Sequence, residues 1–193
     1  GTGPFMFVKY EKDAFIRYQA HPDYWKGREK LDKLVFAITP DPSVRYARLR
    51  TGECHVMAYP LPTDIKSMKK NPAIYVAEQP GLNTAYWAYN VQKPPFDEAR
   101  VRQALNYAIN RQAILDAIYQ GTGKIASSVI PPTIWSWKGP DNDYVYNPDR
   151  ARALLADAGY KEGFEMDIWA MPVQRPYNPN ARKMAEMIQQ DLS

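Results

Sequence analysis

One cysteine and two histidines are the only thiol and imidazole groups in these 193 residues. A single thiol closes no internal disulfide. Cys54, in the alternating run Cys54, Val56, Ala58, is read either as a small buried hydrophobe or as half of a bridge whose partner lies outside the chain. His21 and His55 have no carboxylate cluster at metal-ligand spacing, so a satisfied or surface histidine is the reading for each. No GxSxG, HExxH or CxxC occurs, and GTGPF is followed by no GK[ST] that would make it a phosphate loop. Nothing here provides a basis for a hydrolase or transferase site. Carboxylates such as Asp141 and Asp143 fall in a polar turn and read as turn formers. No run approaches the roughly 18 consecutive apolar residues of a membrane span.

Charge of one sign is also lacking. Lys and Arg number 25 against 21 Asp and Glu, and the excess of +4 is scattered. Nucleic-acid binders cluster their basic residues, whereas here they alternate with acids, as in Tyr10-Glu11-Lys12-Asp13. No nucleic-acid partner is expected. Gly1-Thr2-Gly3-Pro4 is neither a basic leader nor an initiator, and the chain stops inside a helical pattern at Ser193. A piece of something longer is expected.

What is present is a core's worth of apolar residues, 45% hydrophobic, with 14 Tyr and 5 Trp of the kind that line binding clefts. The organising stretch is GLNTAYWAYNVQKPPFDEARVRQALNYAINRQAILDAIYQG, from Gly81 to Gly121. Residues 84–91 read as a buried strand stopped by Pro94-Pro95. Asp97 is expected to cap a helix bearing Val101, Ala104, Leu105, Ala108 and Ile109, and Asn110 a second one bearing Ile114, Leu115 and Ile118, ended by Gly121.

Before it, residues 5–10 and 15–20 predict a hairpin, and residues 31–38 another strand. Asp41-Pro42 starts a helix that Gly52 stops. Residues 54–58 are expected as a strand, Thr63 as the cap of a short helix, and residues 73–77 as a further strand. After it comes a rigid aromatic loop through Trp135 and Trp137. These two, with Tyr144 and Tyr146, could line a cleft, although packing in a core or on a lobe surface is the plainer reading of each. Asn147-Pro148 starts a helix ended by Gly159, residues 164–170 alternate as a strand, and Asn178-Pro179 starts the last helix. Strands alternating with helices make the class α/β.

One loop looks built for recognition: Trp169-Ala170-Met171-Pro172-Val173-Gln174-Arg175-Pro176-Tyr177-Asn178-Pro179-Asn180. Ligands of open α/β sheets bind beyond the carboxyl ends of strands, and this loop leaves such an end. Three prolines stiffen it around one arginine. A guanidinium so placed can clamp a carboxylate with two parallel hydrogen bonds. The alternatives are a solvated loop charge or a structural ion-pair partner.

Taken together, PDPSVRYARLRTGECHVMAYP, GLNTAYWAYNVQKPPFD, VRQALNYAINRQAI, the IPP at Ile130 and WAMPVQRPYNPNARKMAEMIQ resemble the solute-binding proteins of peptide ABC importers, the family-5 extracytoplasmic group. The resemblance runs over essentially the whole chain. It implies a periplasmic-binding-protein-like fold of type II, two-lobed and α/β, closing on its ligand by a hinge and present here only in part. Residues 1–83 would be the later portion of the first lobe and residues 84–193 the first half of the second, with a crossover strand near residues 82–90. It also implies a non-catalytic role in the periplasm, no cofactor, a short peptide as ligand and membrane permease subunits as partners of the full-length protein. In dipeptide-binding members an arginine of the MPVQRPYNPN loop binds the ligand carboxylate. Here that position is Arg175, with Tyr177 as a weaker candidate beside it. The aspartate that receives the ligand's ammonium would lie beyond Ser193, and Cys54 would pair with a cysteine outside this chain. Similar members bind haem or glutathione, and an unrecognised hydrolase or amidase site is the rival from another class.

Overall fold

Sheet formation begins where the sequence alternates. The computed structural model describes residues 1–139 and 144–193, so Asp141 and Asp143 lie outside the described residues. The chain divides into two units, Gly1–Leu61 and Pro62–Ser193. The lobe boundary proposed near residue 83 concerns the whole protein.

In the first unit, strands β1 (Phe5–Glu11) and β2 (Phe15–Ala20) form the expected hairpin. Asp13 takes the left-handed conformation in its turn (φ 59°), which a short polar side chain tolerates. Strand β3 (Lys33–Ala37) pairs antiparallel with β2, giving the order β1-β2-β3. Phe7, Tyr18 and Phe36 make an aromatic row across the three strands, each neighbouring pair edge to face at 5.9 Å. Helix α1 (Pro42–Arg50) starts where expected, with the Asp41 carboxylate accepting from the Val44 N–H at 2.9 Å. The Arg45 guanidinium ties the helix to its surroundings by donating to the carbonyls of Thr39, Pro40 and Tyr59.

In the second unit, helix α2 (Pro62–Lys70) buries Met68. It begins at Pro62, so Thr63 sits inside the helix rather than capping it. Helix α3 (Ala99–Ala108) is capped by Glu98, one residue later than the Asp97 expected. The Glu98 carboxylate accepts from the Arg100 N–H and from its guanidinium, and this second partner decides between the two neighbouring acids. Helix α4 (Arg111–Ile114) is capped by Asn110 as expected. It runs straight into a π turn, Leu115–Tyr119, closed by the Gln120 N–H on the Leu115 carbonyl at 3.1 Å. Helix α5 (Pro148–Asp157) is capped by Asn147 and lies against α3. Gly159, at φ 89°, ends it in the left-handed conformation expected of a helix-terminating glycine. Helix α6 (Ala181–Leu192) closes the chain.

Two sets of buried residues hold this unit. Val101, Ala104 and Leu105 of α3 and Ala151 of α5 are buried, and Val101 is fully so. Ile109, Ile114, Ile118 and Ile188 form a second cluster, with Trp87, Tyr119, Ile168 and Met184 packed around it. The Asp191 carboxylate accepts from the Asn110 N–H at 2.8 Å and so fixes the end of α6 to the start of α4.

Four expected strands, residues 54–58, 73–77, 84–91 and 164–170, are not in ladders. The reason is physical. Alternation reports which side chains go inward, as Ile168 does, but a ladder also needs a neighbouring strand. The described residues supply none for these segments. Residues 84–91, expected buried on both faces, pack Trp87 inward and leave Tyr86 79% exposed. Trp135 is likewise not packed in a core: it is 96% exposed.

Candidate functional site

The stiff loop folds into a tight turn. The Arg175 N–H donates to the Asn178 carbonyl and the Asn178 N–H to the Arg175 carbonyl, both at 3.0 Å. Pro176 occupies the second turn position, where its fixed φ suits the bend. Asn178 is buried, and it is the anchor. Its side-chain oxygen accepts from the Asn180 N–H at 3.2 Å, and its amide nitrogen lies 3.6 Å from the Met184 sulfur in α6. Asn180, rather than the expected Asn178, caps α6 by accepting from the Lys183 N–H at 3.0 Å. Asn178 is drawn inward by its own turn and is not free to cap.

Tyr177 is turned by two bonds. Its hydroxyl donates to the Met171 sulfur at 3.7 Å, and its carbonyl accepts from the Tyr119 hydroxyl at 2.8 Å. Tyr119 is half-buried against the isoleucine cluster, and burial pushes its phenol above the ordinary range. Behind it, Gly123 approaches so closely that a β-carbon there would lie 3.1 Å from the Tyr119 ring and 3.3 Å from Leu115. Neither Tyr119 nor Gly123 carries a signal that sequence reading could have used, because the acceptor of the bond is a backbone carbonyl.

The turn is thus fixed through its backbone, through Asn178 and through Tyr119. Arg175 is exposed, and its guanidinium has no hydrogen bond or ion pair among the described residues. Its five donors face solvent, in the planar fork that matches a carboxylate. Two hollows of the second unit lie elsewhere and do not include it. One, of about 260 Å³, is lined by residues such as Tyr89, Arg102 and Asn106. The other, of about 480 Å³, lies between residues 164–170 and α6, where Arg182 is engaged with Glu186 at 3.0 Å.

Cys54 is a half-buried free thiol. His21 accepts from the Asp23 N–H, and both histidines belong to the first unit. Among the described residues no group of three or more His, Cys, Asp or Glu is placed to hold a metal. No described helix is long and apolar enough to cross a membrane.

The model of the bacterial extracellular solute-binding proteins, family 5, matches residues 1–193. The chain is 56% identical to the dipeptide-binding protein of Escherichia coli (strain K12), covering 99% of this chain and 36% of the relative. It is 51% identical to heme-binding protein A of Haemophilus influenzae, covering 99% and 35%. Among solved structures it resembles the dipeptide binding protein from Pseudoalteromonas sp. SM9913 in complex with Met-Leu, at TM-score 0.90 and 45% identity, over 100% of this chain and 38% of that one. The chain therefore spans about 36% of the length of the first of these relatives. The expected periplasmic-binding-protein fold of type II is the fold of these neighbours, present here in part. This chain belongs to the bacterial extracellular solute-binding proteins of family 5.

Proposed function

We propose that the whole protein captures dipeptides or short peptides outside the cytoplasmic membrane, in the periplasm, and delivers them to the permease subunits of an ABC importer without catalysis. Arg175 clamps the ligand carboxylate and Tyr177 stands beside it. One observation carries this reading: an unengaged guanidinium on a turn that is itself fixed from several directions. A dipeptide is a zwitterion, so its capture needs one fixed cation and one fixed anion. An ion left unpaired in a closed cleft would cost several kcal/mol. The similar protein solved with Met-Leu supports the ligand class. Cys54, in the same reading, pairs with a cysteine outside this chain.

Haem is the second reading, because a relative at 51% identity is named for it. Haem asks for an axial ligand, and neither His21 nor His55 lies in the loop that carries Arg175. Glutathione, with two carboxylates and one ammonium, would also suit Arg175.

The test is calorimetric titration of Ala-Ala into the full-length protein, wild type and Arg175→Ala. Saturable binding that the substitution weakens by about 2–5 kcal/mol is the expected result. Unchanged binding in the variant would overturn the clamp. Absence of any dipeptide binding would move the assignment to glutathione or haem, the latter read from its absorbance band. A peptidase assay on the same sample disposes of the enzymatic rival if the peptide is recovered intact.

A further inference from the structure

From the bond between Tyr119 and the Tyr177 carbonyl, we infer that Tyr119 is a positioning residue for ligand recognition, setting where the Arg175 fork points. The inference rests on the carboxylate-clamp reading and extends it to a residue outside the loop. Arg175 and Tyr177 share one turn, closed by the reciprocal backbone bonds of Arg175 and Asn178. A bond to the Tyr177 carbonyl therefore fixes the peptide plane two residues from the guanidinium's own α-carbon. The donor comes from the last residue of the π turn, a widened turn of a kind frequent at functional sites.

Tyr119 has little freedom to move away. Its ring packs on the isoleucine cluster on one side, and Gly123 closes against it on another. A rigid cation that needs no rearrangement binds better than one that must first be ordered, because ordering a side chain and its loop subtracts from affinity.

The distinctive consequence concerns the ligand's end group. A misaimed fork loses its match to a carboxylate but keeps the rest of the site. Affinities for Ala-Ala and for its C-terminal amide are measured by calorimetry on the full-length protein, for wild type, Tyr119→Phe, Gly123→Ala and Arg175→Ala. Tyr119→Phe retains the ring and removes only the donor. We expect it to reduce the preference for free acid over amide roughly three- to tenfold, the scale of one lost hydrogen bond. Gly123→Ala, which presses a β-carbon onto the Tyr119 ring, should shift the same preference in the same direction.

Equal weakening of both ligands by Tyr119→Phe would mean a general structural role and overturn the inference. A wild-type preference in Tyr119→Phe, with the preference lost in Arg175→Ala, would overturn the positioning role and leave the clamp standing. A preference untouched by Arg175→Ala would overturn the clamp and the inference with it. Should Tyr119→Phe fail to fold, the Gly123→Ala preference decides, and an unshifted value refutes the inference.

Discussion

The Tyr119 hydroxyl donates to the Tyr177 carbonyl at 2.8 Å across 58 residues of sequence. It joins the end of a helical segment to the middle of a four-residue turn, and the turn carries the exposed cation of the candidate site. Because the acceptor is main chain, the bond constrains the turn whatever side chain stands at residue 177.

Arginine and lysine should not be interchangeable at residue 175. Arg175→Ala is expected to weaken dipeptide binding by about 2–5 kcal/mol, the scale for truncating one partner of a buried charge pair. Arg175→Lys restores the charge without the planar fork and should recover only part of that loss. Calorimetry of the two variants side by side checks this. Full recovery by lysine would show that charge alone matters.

Asn178→Ala should destabilise the protein by about 1–3 kcal/mol, since it leaves the Asn180 N–H without its acceptor near the α6 cap. Urea denaturation of the full-length protein reads this directly, and an unchanged midpoint would contradict the anchoring role given to Asn178.

The contrast between Val101 and Trp135 tests the packing. Val101 is fully buried and Trp135 is 96% exposed. Val101→Ala removes two buried carbons and should cost about 2 kcal/mol, whereas Trp135→Ala should stay within about 0.5 kcal/mol of wild type. The comparison is made on denaturation midpoints. A costly Trp135→Ala in the full-length protein would show that residues outside this chain cover that ring.

Stability should fall on the alkaline side. Burial pushes the Tyr89 phenol well above its ordinary 10.0, with a smaller opposing effect from the Arg102 charge. The folded state then keeps a proton that the unfolded chain releases. The contribution is complete below pH 10 and is lost progressively as pH rises from there toward the raised value. Denaturation midpoints measured at about pH 8 and about pH 11 should differ more for wild type than for Tyr89→Phe. An identical difference in the two proteins would rule out Tyr89 as the source.

Helix starts were readable because each depends on a few neighbouring residues. Asp41, Asn110 and Asn147 all cap where a short acceptor precedes an apolar period. The miss at Asp97 came from two adjacent acids that pattern cannot separate, and at Asn178 from a turn that claims the side chain first. Residues 164–170 alternate and revealed their inward face, whereas residues 84–91, expected buried on both faces, pack Trp87 inward and leave Tyr86 exposed; neither segment revealed its neighbours, because pairing is a relation between distant residues. Arg175 stood out as a lone cation among prolines. Tyr119 did not, since the spacing of Ile114 and Ile118 does not reveal that Ile118 lies inside a π turn.

That π turn is, in effect, one residue spliced into a helix, and it sets the register of everything after it. Removing the exposed Asp116 would leave the Asn110 cap and Ile114 in place, but it would remove the acceptor of the Gln112 side-chain amide and shift Ile118 of the buried cluster together with Tyr119. It would also carry Tyr119 back by one helical step, about 100° around the axis. The hydroxyl would then face away from the loop it serves. A single-codon deletion there would therefore act on the buried isoleucine cluster and on the loop together, and length in this short stretch is under tighter constraint than the identity of its exposed side chains.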